Sequence, residues 1–92
     1  PAIDLGIVLA LFSSLKDKPV GAKTICFGEV GLSGEVRAVS MPQQRVAEAA
    51  KLGFEVCILP AVCLELVKEA QGIKLVGVAN VREAIGAVLR GC

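Results

Sequence analysis

Apolar residues recur along this chain with two different periods. Over residues 3–17, Leu5, Val8, Leu9, Leu11, Phe12 and Leu15 fall at helical spacing, but the stripe widens to most of the circumference. A helix that is apolar nearly all round is a buried helix. Pro19 ends it, because the residue before a proline disfavours helical backbone. Residues 23–30 switch to alternation and are rich in Ile, Phe, Thr and Val, which predicts a strand. Gly31 and Gly34 then bracket Leu32 and Ser33 and supply the positive φ angles of a tight reversal. Residues 35–39 are expected to return as the second arm of a hairpin, with Glu29 and Glu35 matched across the turn.

The helical period resumes at Pro42, whose missing N–H costs nothing in the first turn, with Ser40 as the expected N-cap. This helix carries Gln43, Val46, Ala47 and Ala50, and Gly53 is placed to end it. Residues 54–59 are expected to form a short strand, apolar but for Glu55 and closed by Pro60. A helix is expected from about 61 to 70, ended by Gly72, then a strand over 73–78. Asn80 followed by Glu83 is a capping box. It opens a last helix with Val81, Ala84, Ile85, Val88 and Leu89 on one face and Gly91 at its stop. Short buried strands alternating with helices indicate a layered α/β arrangement, with βαβ units in the second half. No internal repeat, linker or low-complexity stretch interrupts it.

Composition adds one point. The chain is 54% hydrophobic and only 21% charged over 92 residues. That is very apolar for a small domain, which keeps much of its surface wet. The expected cause is a missing neighbour: upstream strands, an interface between copies, or both. Together with the start at Pro1, this reads as a fragment of a longer protein. No run reaches the length of a membrane span, and the apolar run from Leu5 to Leu15 lacks a basic leader and a cleavage site. A cytoplasmic location is therefore the expectation. The net charge of +1 is not the strongly basic balance of a dedicated nucleic-acid module, so any DNA contact must come from a local cluster.

The candidate chemistry is sparse. Cys26, Cys57, Cys63 and Cys92 are spaced by 31, 6 and 29 residues, and the chain has no histidine. This is not a metal-ligand pattern, and Cys26 and Cys57 read as small buried hydrophobes. The glycine-rich hairpin is not a phosphate loop, because its glycines lead from strand to strand and not into a helix N-terminus. Arg37, Arg45 and Lys51 form either a loose basic ridge for phosphates or ordinary solvated charge paired with Glu35, Glu48 or Glu55. The second is the commoner case for surface charge. Asp4 is explained by the stabilisation of an acid near a helix N-terminus, or marks an altered use of an old cleft.

The ordered set of segments carries a family resemblance. Phe27 to Val36 followed by Arg37, Ala49-Ala50-Lys51-Leu52-Gly53-Phe54, Pro1-Ala2-Ile3-Asp4-Leu5, Ser13-Ser14-Leu15, and Pro60 after an apolar strand stand in the order and spacing of Lon-type proteolytic domains. The chain resembles them over essentially its whole length. In detail it resembles the version at the C-terminus of the bacterial RadA (Sms) DNA-repair protein family; the magnesium-chelatase-related ComM family is a more distant match. The resemblance implies an α+β fold, a two-layer α/β sandwich of the ribosomal protein S5 domain 2-like type, with its first strands upstream. Residues 1–92 would be the C-terminal part of that domain.

Lon peptidases use a serine nucleophile and a lysine base. The resemblance puts Ala2 at the nucleophile position and Gln43 at the base position. A methyl group cannot attack a carbonyl, and an amide cannot take a proton near neutral pH. The domain is therefore expected not to be an enzyme. The resemblance further implies a parent with an N-terminal zinc finger and a RecA-like ATPase that promotes branch migration of recombination intermediates as a hexameric ring. Zn, ATP and Mg are then expected in other parts of the parent and no cofactor in this chain. The expected partners are copies of itself and branched or duplex DNA, in the context of a RecA-type recombinase, with no membrane. DNA contacts are expected of Arg37, Arg45 and Lys51. The alternatives are a fragment of an ATP-dependent Lon-type Ser-Lys protease and the Lon-like domain of a ComM-type ATPase.

Overall fold

The structure, a computed structural model, describes residues 3–6, 23–67 and 72–89. In chain order these form β1 (Ile3–Asp4), β2 (Thr24–Cys26), β3 (Glu29–Val30), β4 (Val36–Arg37), α1 (Pro42–Lys51), β5 (Val56–Pro60), a 3₁₀ helix (Ala61–Leu66), β6 (Lys74–Val78) and α2 (Val81–Leu89). The strands make two sheets. One is parallel, in the order β2-β5-β6; the other is antiparallel, in the order β1-β3-β4. The parallel sheet is the βαβ arrangement expected of the second half, and the whole is a small α+β fold.

The start of the chain departs from expectation. Ile3 and Asp4 are not helical; they pair with Val30 and Glu29. Helical backbone begins at Leu5, and the Asp4 carboxylate accepts the Gly6 N–H at 2.8 Å, as an acid at a helix start should. The body of the expected apolar helix, with Ser13, Ser14, Lys16 and Lys18, lies outside the described residues. So do Ala2, residues 68–71 and residues 90–92.

The strand expected over 23–30 is two strands in two sheets. Phe27 N–H still donates to the Ile58 carbonyl at 2.8 Å, continuing the parallel ladder. The next residue, Gly28, turns the chain out of that sheet at φ 153, and its carbonyl accepts the Leu5 N–H at 2.9 Å. The hairpin forms in a register that sets Glu29 opposite Arg37 and not opposite Glu35, closed by Gly31 N–H to the Glu35 carbonyl at 2.9 Å and Gly34 N–H to the Gly31 carbonyl at 3.0 Å. Of the two turn glycines only Gly34 has positive φ, at 80°. At Gly31 a Cβ would meet the Glu35 carboxylate, the end of a side chain that can turn aside. The return arm pairs only at Val36 and Arg37, because Val36 N–H turns to the Ala79 carbonyl and Gly34 accepts the Val81 N–H, both at 2.9 Å.

Helix α1 begins one residue later than its expected cap. Met41, not Ser40, is the N-cap, in left-handed backbone (φ 54, ψ 51) with no side-chain cap bond. Ser40 is otherwise engaged: its carbonyl accepts Arg45 Nε–H at 2.7 Å. The other end follows the glycine rule. Gly53, at φ 94, donates to the Ala50 carbonyl and Phe54 donates to the Ala49 carbonyl, both at 3.1 Å. That paired closure is a Schellman motif, with Phe54 and Ala49 in the same apolar cluster.

The two-layer expectation is corrected, because both faces of the parallel sheet are covered. Cys57 and Leu59 of β5 face one way, onto Val46 and Ala49 of α1 and Cys63 of the 3₁₀ helix. Ile58, between them, faces the other way, onto Ala84 and Ala87 of α2, Val78, and Leu5, Val30 and Val36 from the antiparallel side. A strand with no polar position is what a parallel strand buried on both faces requires.

Two further expectations change. The third helix is a 3₁₀ segment ending at Leu66, with Val67 already extended (φ −98, ψ 106). Its apolar residues are adjacent, not stripe-spaced, and Leu64 lies so close over Gly77 that a Cβ there would meet it. In α2, Asn80 Oδ1 accepts the Glu83 N–H at 2.9 Å, while Glu83 Oε1 reaches back one residue further than in the usual box, to Ala79 N–H at 2.6 Å. Leu89 is 48% exposed, because the buried face is centred on Ala84 and Ala87 and the 100° helical step turns Leu89 off it.

The two strand cysteines are inert thiols. Burial, with a smaller push from Cys26, takes Cys57 up to about 12. Burial, with a smaller push from the Asp4 carboxylate, takes Cys26 up to about 11. The sign of the pH effect follows. Above about pH 9 the unfolded chain loses these protons while the folded chain keeps them, so stability falls as pH rises from 9 towards 11–12. The urea midpoint is expected to be lower at pH 10 than at pH 8. The drop should shrink in the double variant Cys26→Ala, Cys57→Ala; an equal drop in both proteins would assign it to other groups.

Candidate functional site

Among the described residues a recess lies between β2 and α1. Met41, Gln44, Arg45, Glu48, Ala49 and Leu52 recur at helical spacing and present one face of the helix to it. Ile25 and Phe27, two apart on an extended segment and therefore on one side of it, make the opposite wall. The groove has a volume of about 480 Å³. Met41 and Leu52 stand at its two ends, 60% and 67% exposed.

Arg45 is the fixed charge of this groove. Its guanidinium carbon lies 5.8 Å from the centre of the Phe27 ring, within cation–π range. Its Nε is held by the Ser40 carbonyl, and its terminal nitrogen lies 3.5 Å from Ser40 Oγ. The left-handed turn at Met41 is what brings that carbonyl within reach. The groove thus offers an apolar floor with one guanidinium, one carboxylate (Glu48) and one amide (Gln44). That donor set suits binding.

The residues singled out from the sequence are dispersed. Gln43 lies in the first turn of α1 and is half-buried; it does not line the groove. Ala2, its expected partner, lies outside the described residues. Arg37, on β4, gives Nε and a terminal nitrogen to Glu35 Oε2 at 3.3 and 3.2 Å. The Glu35 carboxyl is held below the usual carboxylate range, first by its own backbone N–H, then by Arg37 and by the Ser33 N–H. The paired-charge reading therefore describes Arg37. Lys51 is the exposed last residue of α1. Lys23 and Glu55 form a further exposed pair at 3.7 Å.

Sequence reasoning did not single out Ile25, Phe27 and Leu52 as groove residues. The alternation of 23–30 and the stripe of α1 contain them, but only the pairing of β2 with β5 brings the two walls together. A second cleft of about 360 Å³ lies between β6 and α2, lined by Val76, Gly77, Val78, Arg82, Glu83 and Gly86. Among the described residues no cluster of His, Cys, Asp or Glu could hold a metal ion, and no helix is long and apolar enough to cross a membrane.

A parallel sheet covered on both faces, a short antiparallel appendage and an apolar groove define a small α/β module. The family profile of subunit ChlI of Mg-chelatase matches residues 1–63, and the chain belongs to that family. Its relatives are named DNA repair protein RadA. That of Bacillus subtilis (strain 168) is 52% identical over 91 residues, 99% of this chain. Those of Streptococcus pyogenes (serotype M1) and Escherichia coli (strain K12) are 44% identical over 88 residues and 43% over 82, or 96% and 89% of this chain. The resemblance to the RadA family read from the residues is thereby borne out. The chain spans about one fifth of the length of these relatives.

Proposed function

We propose that this chain is a peptidase-inactive, Lon-like scaffold domain of a RadA-type, ATP-dependent DNA repair protein that promotes branch migration of recombination intermediates. The observation that carries the reading is the 52% identity to a DNA repair protein RadA over 91 residues. The fold we assign is Lon-like in the order of its elements, with the parallel sheet covered on both faces instead of one. Gln43 where a Lon peptidase has its lysine, and Ala2 where it has its serine, support the loss of peptidase chemistry. ATP, Mg and Zn belong in this reading to other parts of the parent, and the hexameric ring, the RecA-type context and the cytoplasm belong to the parent's work.

Copies of the chain are the first partner, because Leu32, Met41, Leu52, Val62 and Leu66 are all more than half exposed and such apolar surface favours contact. DNA is the second, through Arg37, Arg45 and Lys51. Of these, Lys51 is the strongest candidate, since Arg37 is tied to Glu35 and Arg45 to Ser40.

The experiment is a titration of labelled duplex and forked DNA at two salt concentrations. A DNA-gripping domain is expected to weaken with salt by a log–log slope of about −0.9 per phosphate contact, and Lys51→Ala to weaken it further. Absence of binding at low salt by folded protein would leave the scaffold role alone. Digestion of an unfolded protein by this domain, blocked by a serine-reactive probe, would overturn the reading.

A further inference from the structure

We propose that the tip of the β3–β4 hairpin of one copy docks in the β2–α1 groove of the next. This rests on the scaffold reading and names the surface through which copies meet. Leu32, at the tip, is 97% exposed. A lone exposed leucine is ordinary, but this one stands on a turn fixed in advance. Gly31 and Gly34 close it through backbone bonds, and the Glu35 carboxylate folds back to accept the Ser33 N–H at 3.0 Å while holding Arg37. The same chain carries an apolar recess of about 480 Å³, room for a leucine side chain and part of the turn that bears it.

Knob and recess lie on opposite sides of the parallel sheet. Val30 and Val36, at the base of the hairpin, pack in the layer shared with α2. Ile25, Phe27 and α1 belong to the layer on the other side. One copy therefore cannot fill its own groove. Two different patches that meet head to tail make a heterologous contact, which closes into a ring or runs on as a filament.

The charges also match. Glu29 and Arg37 are directly paired across the hairpin, so it presents an acid beside a base. The groove presents Arg45 and Glu48, three apart on α1. Docking can set Glu29 against Arg45, while Arg37 shares its guanidinium between Glu35 of its own copy and Glu48 of the next, which fixes orientation. Arg45 is already held by Ser40 and Phe27, so little freedom is lost there on binding. On this assignment Arg37 and Arg45 join copies, and DNA contact falls to Lys51.

The test uses the full-length protein. Leu32→Cys and Gln44→Cys are purified separately, then oxidised alone and mixed. A disulfide-linked dimer, above the wild-type background, is expected only in the mixture. By sedimentation, Leu32→Asp is expected to weaken self-association at least tenfold, with an unchanged far-UV circular dichroism spectrum showing that the fold is intact. Wild-type assembly that Leu32→Asp leaves unaltered would overturn the interface and leave the scaffold reading standing. So would a linked dimer from Leu32→Cys alone, which means a tip-to-tip contact. Protection of Gln44→Cys from alkylation by a short duplex DNA, and not by self-association, would give the groove another occupant. A wild type that stays monomeric at every concentration would overturn both readings.

Discussion

Ile58→Ala is expected to lower the unfolding free energy by about 2–5 kcal/mol, the range of large-to-alanine changes in a packed core. Ile58 is fully buried at the centre of the central strand, between Cys26 of β2 and Val76 of β6. Its side chain meets α2 and the residues that anchor the antiparallel sheet. Alanine leaves a void among Leu5, Val30, Val78, Ala84 and Ala87, and two alanines that already lie close to the sheet have little to move into it. A domain of this kind has about 5–15 kcal/mol in total, so the variant forfeits a large share. Urea titration measures the loss, with an unchanged m value as the check that both states keep their extent of exposure. The internal control is Glu65→Ala, exposed on the 3₁₀ helix, expected within about 0.5 kcal/mol of wild type. A cost at Ile58 no larger than that of the control would mean that the layer between sheet and α2 is not a packed core.

Gly28→Ala is the second large effect, about 2–6 kcal/mol, from two separable sources. Gly28 sits at φ 153, where a side chain is strained, and a Cβ there would lie 2.8 Å from Val36 Cγ1. Backbone strain of this sort costs about 1–3 kcal/mol, and forcing one carbon into a filled site about as much. Val36→Ala removes the steric partner. In a double-mutant cycle the steric part is expected to be recovered and the backbone part to remain. Full recovery would show that Gly28 is there only for space; no recovery would show that only its backbone matters.

These two positions also mark where the sequence stops being legible. The alternation of 23–30 correctly signals extended chain, and nothing in its period says that one half pairs with β5 and the other with β1. The signal is Gly28 itself, a glycine inside a strand pattern, which commonly marks a bend or a close approach. The strand expected over 54–59, observed as Val56–Pro60, carried more information than its length: four apolar residues in a row, 56–59, imply cover on both faces. Helix ends were legible where one residue acts alone, as at Gly53 and Asn80. They were not where a side chain several residues away competes, as Arg45 does for Ser40. The groove was the least legible feature. Its two walls are separate elements, and only long-range strand pairing makes them neighbours, whereas the charges that drew attention in the sequence are mostly bonded to their own surroundings.

The most apolar strand is flanked by Glu55 and Pro60. In the folded chain Glu55 pairs with Lys23 in solvent, and Pro60, buried, is the last residue of the strand, opposite Val78. During synthesis and refolding the same two residues have a different task. Val56 to Leu59 is a run of strong β-formers with no charge, the kind of segment that stacks into cross-β ladders when exposed. A proline cannot donate to such a ladder, and a row of like carboxylates repels itself. Charges and prolines so placed are gatekeepers against aggregation, here beside a strand that the finished sheet buries from Cys57 to Pro60.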